Sequence, residues 1–210
     1  KQAEFSNLEP EIESINVYQF IDYSAVYDFN YYITNNPELY DTYKNDPKGA
    51  IKHFAEYGIN EGKQAKGTFD VASYRNRWSD LRRLYGWNNL REYYNHYIQY
   101  GQKEGRTATG ISEVYDPIHV FMGTDFSSVY DYKYYKMNNP DVAAAIGDDD
   151  MAVFCHFLNN GMKELRVASP TFNVQNYIMN NPDLVQTFGL SFPDYYLHYI
   201  QYGRYEGRKC

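Results

Sequence analysis

Cysteine is scarce in this 210-residue chain: only Cys155 and Cys210 occur, and they form no CxxC pair. That excludes a zinc ribbon or a thioredoxin-type site, and Cys155, beside His156 in a helical pattern, reads as a buried inert thiol. Positive charge is short as well. With 20 Lys and Arg against 27 Asp and Glu the net charge is −7, and the pI is about 5.2. Nucleic acid calls for a basic stripe, and an anionic membrane surface calls for a polybasic patch, so neither is expected as a partner. No run of eighteen apolar residues occurs, so no membrane insertion as a spanning helix is expected. No signal peptide is visible, and a chain opening at Lys1 is expected to be a mature or trimmed fragment. A nucleophile elbow, an HExxH pair, a phosphate loop and a dinucleotide fingerprint are all missing. No pair of carboxylates stands out for glycosidase-type chemistry. The expectation is a protein that is not an enzyme and needs no cofactor or metal.

Leu and Ile are also sparse, and what replaces them is aromatic. There are 25 Tyr, 12 Phe and 2 Trp, 19% of the chain, and the mean hydropathy is −0.70. A tyrosine can bury its ring while its hydroxyl keeps a partner. Such a chain can therefore build a core from amphipathic side chains and still present rings at its surface.

Four segments align with one another: 27–63, 69–106, 130–166 and 172–208. They share an aromatic followed by Asp or Asn, a later Tyr, Asn-Asn-Pro-Asp-Leu, His-aromatic, Gly and Glu-Gly-Arg. His53, His96, His156 and His198 share a column, as do Gly58, Gly101, Gly161 and Gly203. Above this period lies a longer one: Ile15, Val17, Asp22 and Val26 match Ile118, Val120, Asp125 and Val129 at an offset of 103. The chain therefore reads as one repeat domain over 1–210, with half one at 1–106 and half two at 107–210 related by an internal pseudo-twofold. The fold class expected is mainly α, with four three-helix repeats. Ile15-x-Val17 and Ile118-x-Val120 alternate with polar residues, and we expect them to be strands pairing with each other in a small two-stranded ribbon.

Within one segment the punctuation is helical. Asp28, Asp70, Asp131 and Asn173 stand at N-cap positions just after an aromatic. Pro37, Pro140 and Pro182 suit the first position of a second helix, with Asn36, Asn139 and Asn181 expected to cap it. A third helix should end at the aligned glycine, whose tolerance of positive φ suits a C-cap. The Glu-Gly-Arg run should be a turn, its Arg reaching helix-end carbonyls or the Asp of Asn-Pro-Asp. A histidine repeated four times at one position reads as a satisfied structural group. Asp148, Asp149 and Asp150 lack the ligand spacing of a calcium loop and read as a solvated loop or N-cap.

Function is sought where the pattern breaks. Segment two replaces Asn-Asn-Pro-Asp by Arg77-Trp78-Ser79-Asp80 and carries Tyr85-Gly86-Trp87-Asn88, so both tryptophans lie there. Trp78, Trp87 and Tyr85 could stack on the apolar face of a sugar, with Arg77, Asp80 and Asn88 as polar contacts. The same residue types dominate protein–protein hot spots; packing of the indoles in the core is the plain alternative. The central stretch from Thr107 to Val129 reads as a connector or as a loop over a site.

The runs NPDLVQTFG and HYIQYGRYEGR resemble a short tandem repeat of secreted and surface proteins of gut Firmicutes, and the chain as a whole is similar to the starch-binding domain of starch-adherence surface proteins of ruminococci. The resemblance implies a secreted or bacterial cell-surface location within a larger protein. It also implies a polysaccharide or oligosaccharide partner, α-glucan above all, held by stacking and hydrogen bonds. The alternatives are an adhesin module that recognises a host or surface protein, and a spacer with no ligand.

Overall fold

The computed structural model describes residues 15–210; Ser14, where the first lead-in begins, lies outside them. The chain is mainly helical with two small sheets, and it divides into two compact units, Lys1–Glu113 and Val114–Cys210.

In the first unit, β1 (Val17–Tyr18) and β2 (Ile21–Asp22) form an antiparallel hairpin, with Val17 opposite Asp22. Then come α1 (Phe29–Asn35), α2 (Pro37–Tyr43) and α3 (Pro47–His53). The last continues through a π-helical turn, Phe54–Gly58, into Ile59–Glu61. The pattern recurs with α4 (Val71–Arg77), α5 (Ser79–Tyr85), α6 (Leu90–His96) and a π turn over Tyr97–Gly101. The second unit has β3 (Val120–Phe121) against β4 (Thr124–Asp125). It continues with α7 (Tyr132–Asn138), α8 (Pro140–Ile146) and α9 (Asp150–His156), then α10 (Val174–Asn180), α11 (Pro182–Phe188) and α12 (Phe192–His198). π turns follow α9 and α12, over Phe157–Gly161 and Tyr199–Gly203. The expected pairing of one lead-in with the other is corrected here. Each lead-in pairs with itself, because a two-residue turn closes a hairpin locally at far less entropic cost than a long-range pairing.

Helices this short are marginal alone and are held by caps and by aromatic packing. Asp28, Asp70, Asp131 and Asn173 accept from the backbone N–H groups of Tyr31, Ala72 and Ser73, Tyr134 and Asn176. The aromatic before each cap, Tyr27, Phe69, Tyr130 or Phe172, is buried. Around them the cores are ring on ring: Tyr27, Tyr32, Phe54, Phe69, Tyr74 and Tyr94 in the first unit, and Tyr130, Tyr135, Phe157, Phe172, Tyr177 and Tyr196 in the second. Burial pushes the Tyr177 hydroxyl up to about 12 and raises those of Tyr32, Tyr74 and Tyr135 too.

Three local expectations are corrected. Asn36, Asn139 and Asn181 precede α2, α8 and α11 but make no side-chain cap bond. Each instead donates its Nδ2 twice. One bond goes to the carbonyl of Tyr32, Tyr135 or Tyr177 in the preceding helix, and the other to that of Gln64, Val167 or Lys209 after the closing turn. The asparagine closes the segment on itself; it does not cap.

The helical run ends at Gly101, Gly161 and Gly203 as expected, and runs on to Glu61 past Gly58, but none of these four glycines is a left-handed cap. Gly58 has φ −56 inside the helical run. A Cβ on Gly58, Gly101, Gly161 or Gly203 would fall on the hydroxyl of Tyr32, Tyr74, Tyr135 or Tyr177. That hydroxyl is hydrogen-bonded to Nδ1 of His53, His96, His156 or His198 at 2.8, 2.9, 2.9 and 2.8 Å. Glycine is therefore required for close approach, and the histidine column is satisfied as expected. The left-handed residue comes later, in the Glu-Gly-Arg turn: Gly62, Gly105 and Gly207 have φ of +70, +68 and +64, and Leu165 takes +54 at the same place.

The third correction concerns the acidic run. Asp149 caps α9 by accepting from the N–H of Ala152, but Asp150 is fully buried and accepts the N–H of Ile118 at 2.9 Å, holding the second lead-in.

Candidate functional site

Segment two departs from the others at the end of α4. Trp78 stands where they carry the stapling asparagine, and it makes the equivalent bond: its indole Nε1 donates to the Thr107 carbonyl at 3.1 Å. The ring is half-buried, edge-on to Tyr74, with the Arg106 guanidinium 4.6 Å from its centroid. An indole offers only one donor, so the carbonyls closing α4 need another. Arg82, on α5 and only 2% exposed, supplies it, donating Nη1 to the carbonyls of Arg75 and Asn76 at 2.7 and 2.8 Å. Sequence reasoning gave Arg82 no role. The available signal was its company with a missing Asn-Pro pair, which leaves helix-end carbonyls to be satisfied.

Two more of the expected contact residues also serve the scaffold. Asp80 pairs with Arg106 at 2.8 Å, and Arg106 with Glu104 at 2.6 Å. The same arrangement appears as Asp141–Arg166–Glu164 and Asp183–Arg208–Glu206. Arg77 donates to the Thr109 carbonyl at 3.2 Å, tying α4 to the stretch that follows the turn. That stretch is fastened further by Ser73 to the Ile111 carbonyl and Asn76 to the Ser112 carbonyl. The region from Thr107 to Glu113 thus packs on the first unit, and the rest of the central stretch forms the hairpin of the second.

The outward part of the site is the loop between α5 and α6. Gly86, at φ +72, turns the chain. The Tyr93 hydroxyl donates to the Gly86 carbonyl at 2.7 Å, and Arg75 Nη1 to the Trp87 carbonyl at 3.2 Å. Trp87 is half-buried because the Arg75 guanidinium lies 3.7 Å from its ring centroid. Asn88 and Asn89 beside it are exposed. Tyr85 is half-buried, edge-on to Tyr93 and His96 at 5.6 and 6.2 Å. Burial raises its hydroxyl above the ordinary phenol range. The six expected residues therefore divide. Trp78, Arg77 and Asp80 each make a bond that holds the scaffold, Tyr85 and Trp87 are half-buried, and Asn88 is exposed.

Among the described residues no cluster of three or more His, Cys, Asp or Glu side chains could hold a metal ion, and no helix is long and apolar enough to cross a membrane. Cys155 and Cys210 are free; burial raises the Cys155 thiol, and Cys210 Sγ donates to the Thr171 carbonyl at 3.4 Å. No family model, no curated protein and no solved structure matches the chain.

Proposed function

We propose that the chain is a non-catalytic carbohydrate-binding module, built of four copies of one three-helix repeat in two pseudo-twofold-related halves. It belongs to a secreted or surface-anchored bacterial protein and takes α-glucan as its ligand. The observation that carries the reading is the Trp87 platform. An indole backed by a guanidinium at 3.7 Å, on a loop pinned at two successive carbonyls, is rigid before any ligand arrives. Preorganised rings lose little freedom on binding. The indole face opposite Arg75 would take the apolar face of a glucose ring, with the exposed Asn88 and Asn89 at hand for hydroxyls. A lone platform of this kind binds weakly, with Kd of roughly 10 μM to 1 mM.

The test is calorimetric titration of the chain with maltoheptaose, repeated on Trp87→Ala. We expect saturable heat that the variant loses by about tenfold or more in affinity, as stacked aromatics lose on truncation. Absent heat removes the glucan reading, and heat unchanged in the variant removes the Trp87 platform.

One observation favours an adhesin as the second reading. The tips of the two hairpins present Phe20 and Met122, both exposed and both left-handed at φ +64 and +46. The two-residue hairpin turns require the left-handed backbone, and the large apolar side chains they hold out in solvent suit a protein contact. If Phe20→Ser or Met122→Ser abolishes adhesion of the parent cell while glucan binding persists, the adhesin reading gains.

A further inference from the structure

The second unit carries an open groove of about 430 Å³ between the β3–β4 hairpin and the turn that follows α12. That volume falls within the range typical of small-ligand sites. One wall is Gly123, Thr124 and Asp125; the other is Gln201, Tyr202, Arg204 and Tyr205. We propose that this groove is a second binding site, specific for a short neutral oligosaccharide. The ligand class rests on the carbohydrate reading above, whereas the site is independent of Trp87.

Both walls are fixed. Tyr202 leans on His198 at 5.6 Å, His198 also packs edge-on to Phe188, and its Nδ1 is bonded to the buried Tyr177 hydroxyl. Tyr205 is backed by Arg204, whose guanidinium carbon lies 4.6 Å from the ring centroid and whose Nη2 donates to its hydroxyl at 2.6 Å. Across the groove, Asp125 Oδ1 accepts from the Ser127 backbone N–H and is bonded to His119 Nδ1, each at 2.8 Å. The Ser127 backbone bond holds its carboxyl below the usual range, so it is an acceptor at neutral pH. Tyr202 and Tyr205 are nevertheless 57% and 74% exposed. Rings with backing on one side and water on the other are platforms, not core.

The polar groups select the ligand. Asp125 and Arg204 contribute one charge of each sign, so the groove favours neither an anion nor a cation. Thr124, Gln201 and Asp125 offer the hydroxyl, amide and carboxylate partners that vicinal sugar hydroxyls require. Gly123, at φ +79, places no side chain at the mouth. The first unit repeats this chemistry only in part. At the matching positions Asp22, Gln99 and Tyr100 keep Asp125, Gln201 and Tyr202, but Phe20 stands for Gly123, Ile21 for Thr124, Gln102 for Arg204 and Lys103 for Tyr205.

The experiment is amide-resolved NMR of the whole chain, titrated separately with maltoheptaose and cellohexaose, for the wild type and for Tyr205→Ala. Tyr205 is exposed enough that the variant should fold, and an unchanged melting temperature would confirm it. We expect saturable shifts at Gly123, Thr124, Asp125 and Gln201 to Tyr205 with at least one glycan. Tyr205→Ala should weaken them about tenfold while leaving any shifts at Gly86 to Asn89 unchanged. Shifts confined to Gly86 to Asn89, or groove shifts of wild-type affinity in Tyr205→Ala, overturn the second site and spare the Trp87 reading. Shifts in the groove alone support the second site and remove the Trp87 one. Shifts in neither region overturn both.

Discussion

Replacing Gly203 by Ala places a methyl group on the Tyr177 hydroxyl, and the consequences can be worked through. Crowding a packed interior costs about 1–3 kcal/mol. Displacing the hydroxyl breaks its bond to His198 Nδ1, about 1 kcal/mol more. Against this, exchanging Gly for Ala inside a helix gains about 1 kcal/mol. The net expectation is a loss of about 1–3 kcal/mol. Tyr177→Phe alone should cost about 1 kcal/mol, the hydrogen bond with no crowding. In the double variant the methyl occupies the space the hydroxyl vacated, so it should be no less stable than Tyr177→Phe. The two changes are then coupled by about 2 kcal/mol, far outside ordinary additivity. Urea unfolding followed by near-ultraviolet circular dichroism reads this as midpoint shifts at constant slope. If the glycine were needed for left-handed backbone, Ala would be costly in either background. Additive effects, or a neutral Gly203→Ala, would refute the close-approach account.

Other consequences are simpler to state. Trp78→Phe keeps the ring but loses the donor to the Thr107 carbonyl, and should lower stability by about 1 kcal/mol without weakening glycan binding; weakened binding at unchanged stability would contradict the scaffold role of Trp78. Arg82→Met leaves the carbonyls of Arg75 and Asn76 without their guanidinium and should cost about 3 kcal/mol, measured by thermal melting; a melt within a degree of wild type would count against it. Burial, reinforced by the Arg106 charge, holds the His96 imidazole below its ordinary value. Its stabilising effect is therefore present above about pH 6.5 and is lost as pH falls through the lowered value. His96→Gln should flatten that acid-side slope in urea midpoints, and a slope as steep as wild type would argue that other groups cause it.

Much of the fold is written in local chemistry, and so was legible. The caps Asp28, Asp70, Asp131 and Asn173 and the prolines at helix starts follow from backbone rules that need no tertiary information. The reading of the histidine column held because four copies of one polar group call for four copies of one partner. The Asn and Gly columns were misassigned for a shared reason. An asparagine amide can accept or donate, and a glycine can serve left-handed backbone or close approach. The choice depends on a carbonyl or a tyrosine more than twenty residues away. The hairpins were assigned to the wrong partner because alternation marks a strand but not what it pairs with.

The site was legible in composition, but its division of labour was not. Trp78 aligns with Asn36, Asn139 and Asn181, a column read as caps that accept, so the donor duty it shares with them was not legible. Nothing in the sequence linked Arg75 to the ring of Trp87. The groove residues Tyr202, Arg204 and Tyr205 looked like ordinary repeat sequence until the hairpin was placed beside them.

The proposed division between a scaffold indole and a binding indole is tested most directly with chains that keep one tryptophan each. In Trp78→Phe all indole fluorescence comes from Trp87, and in Trp87→Phe all of it comes from Trp78. Titrated with maltoheptaose, the Trp87-only chain should change in emission with saturation and the Trp78-only chain should not. A response from Trp78 alone, or from neither, would contradict the account.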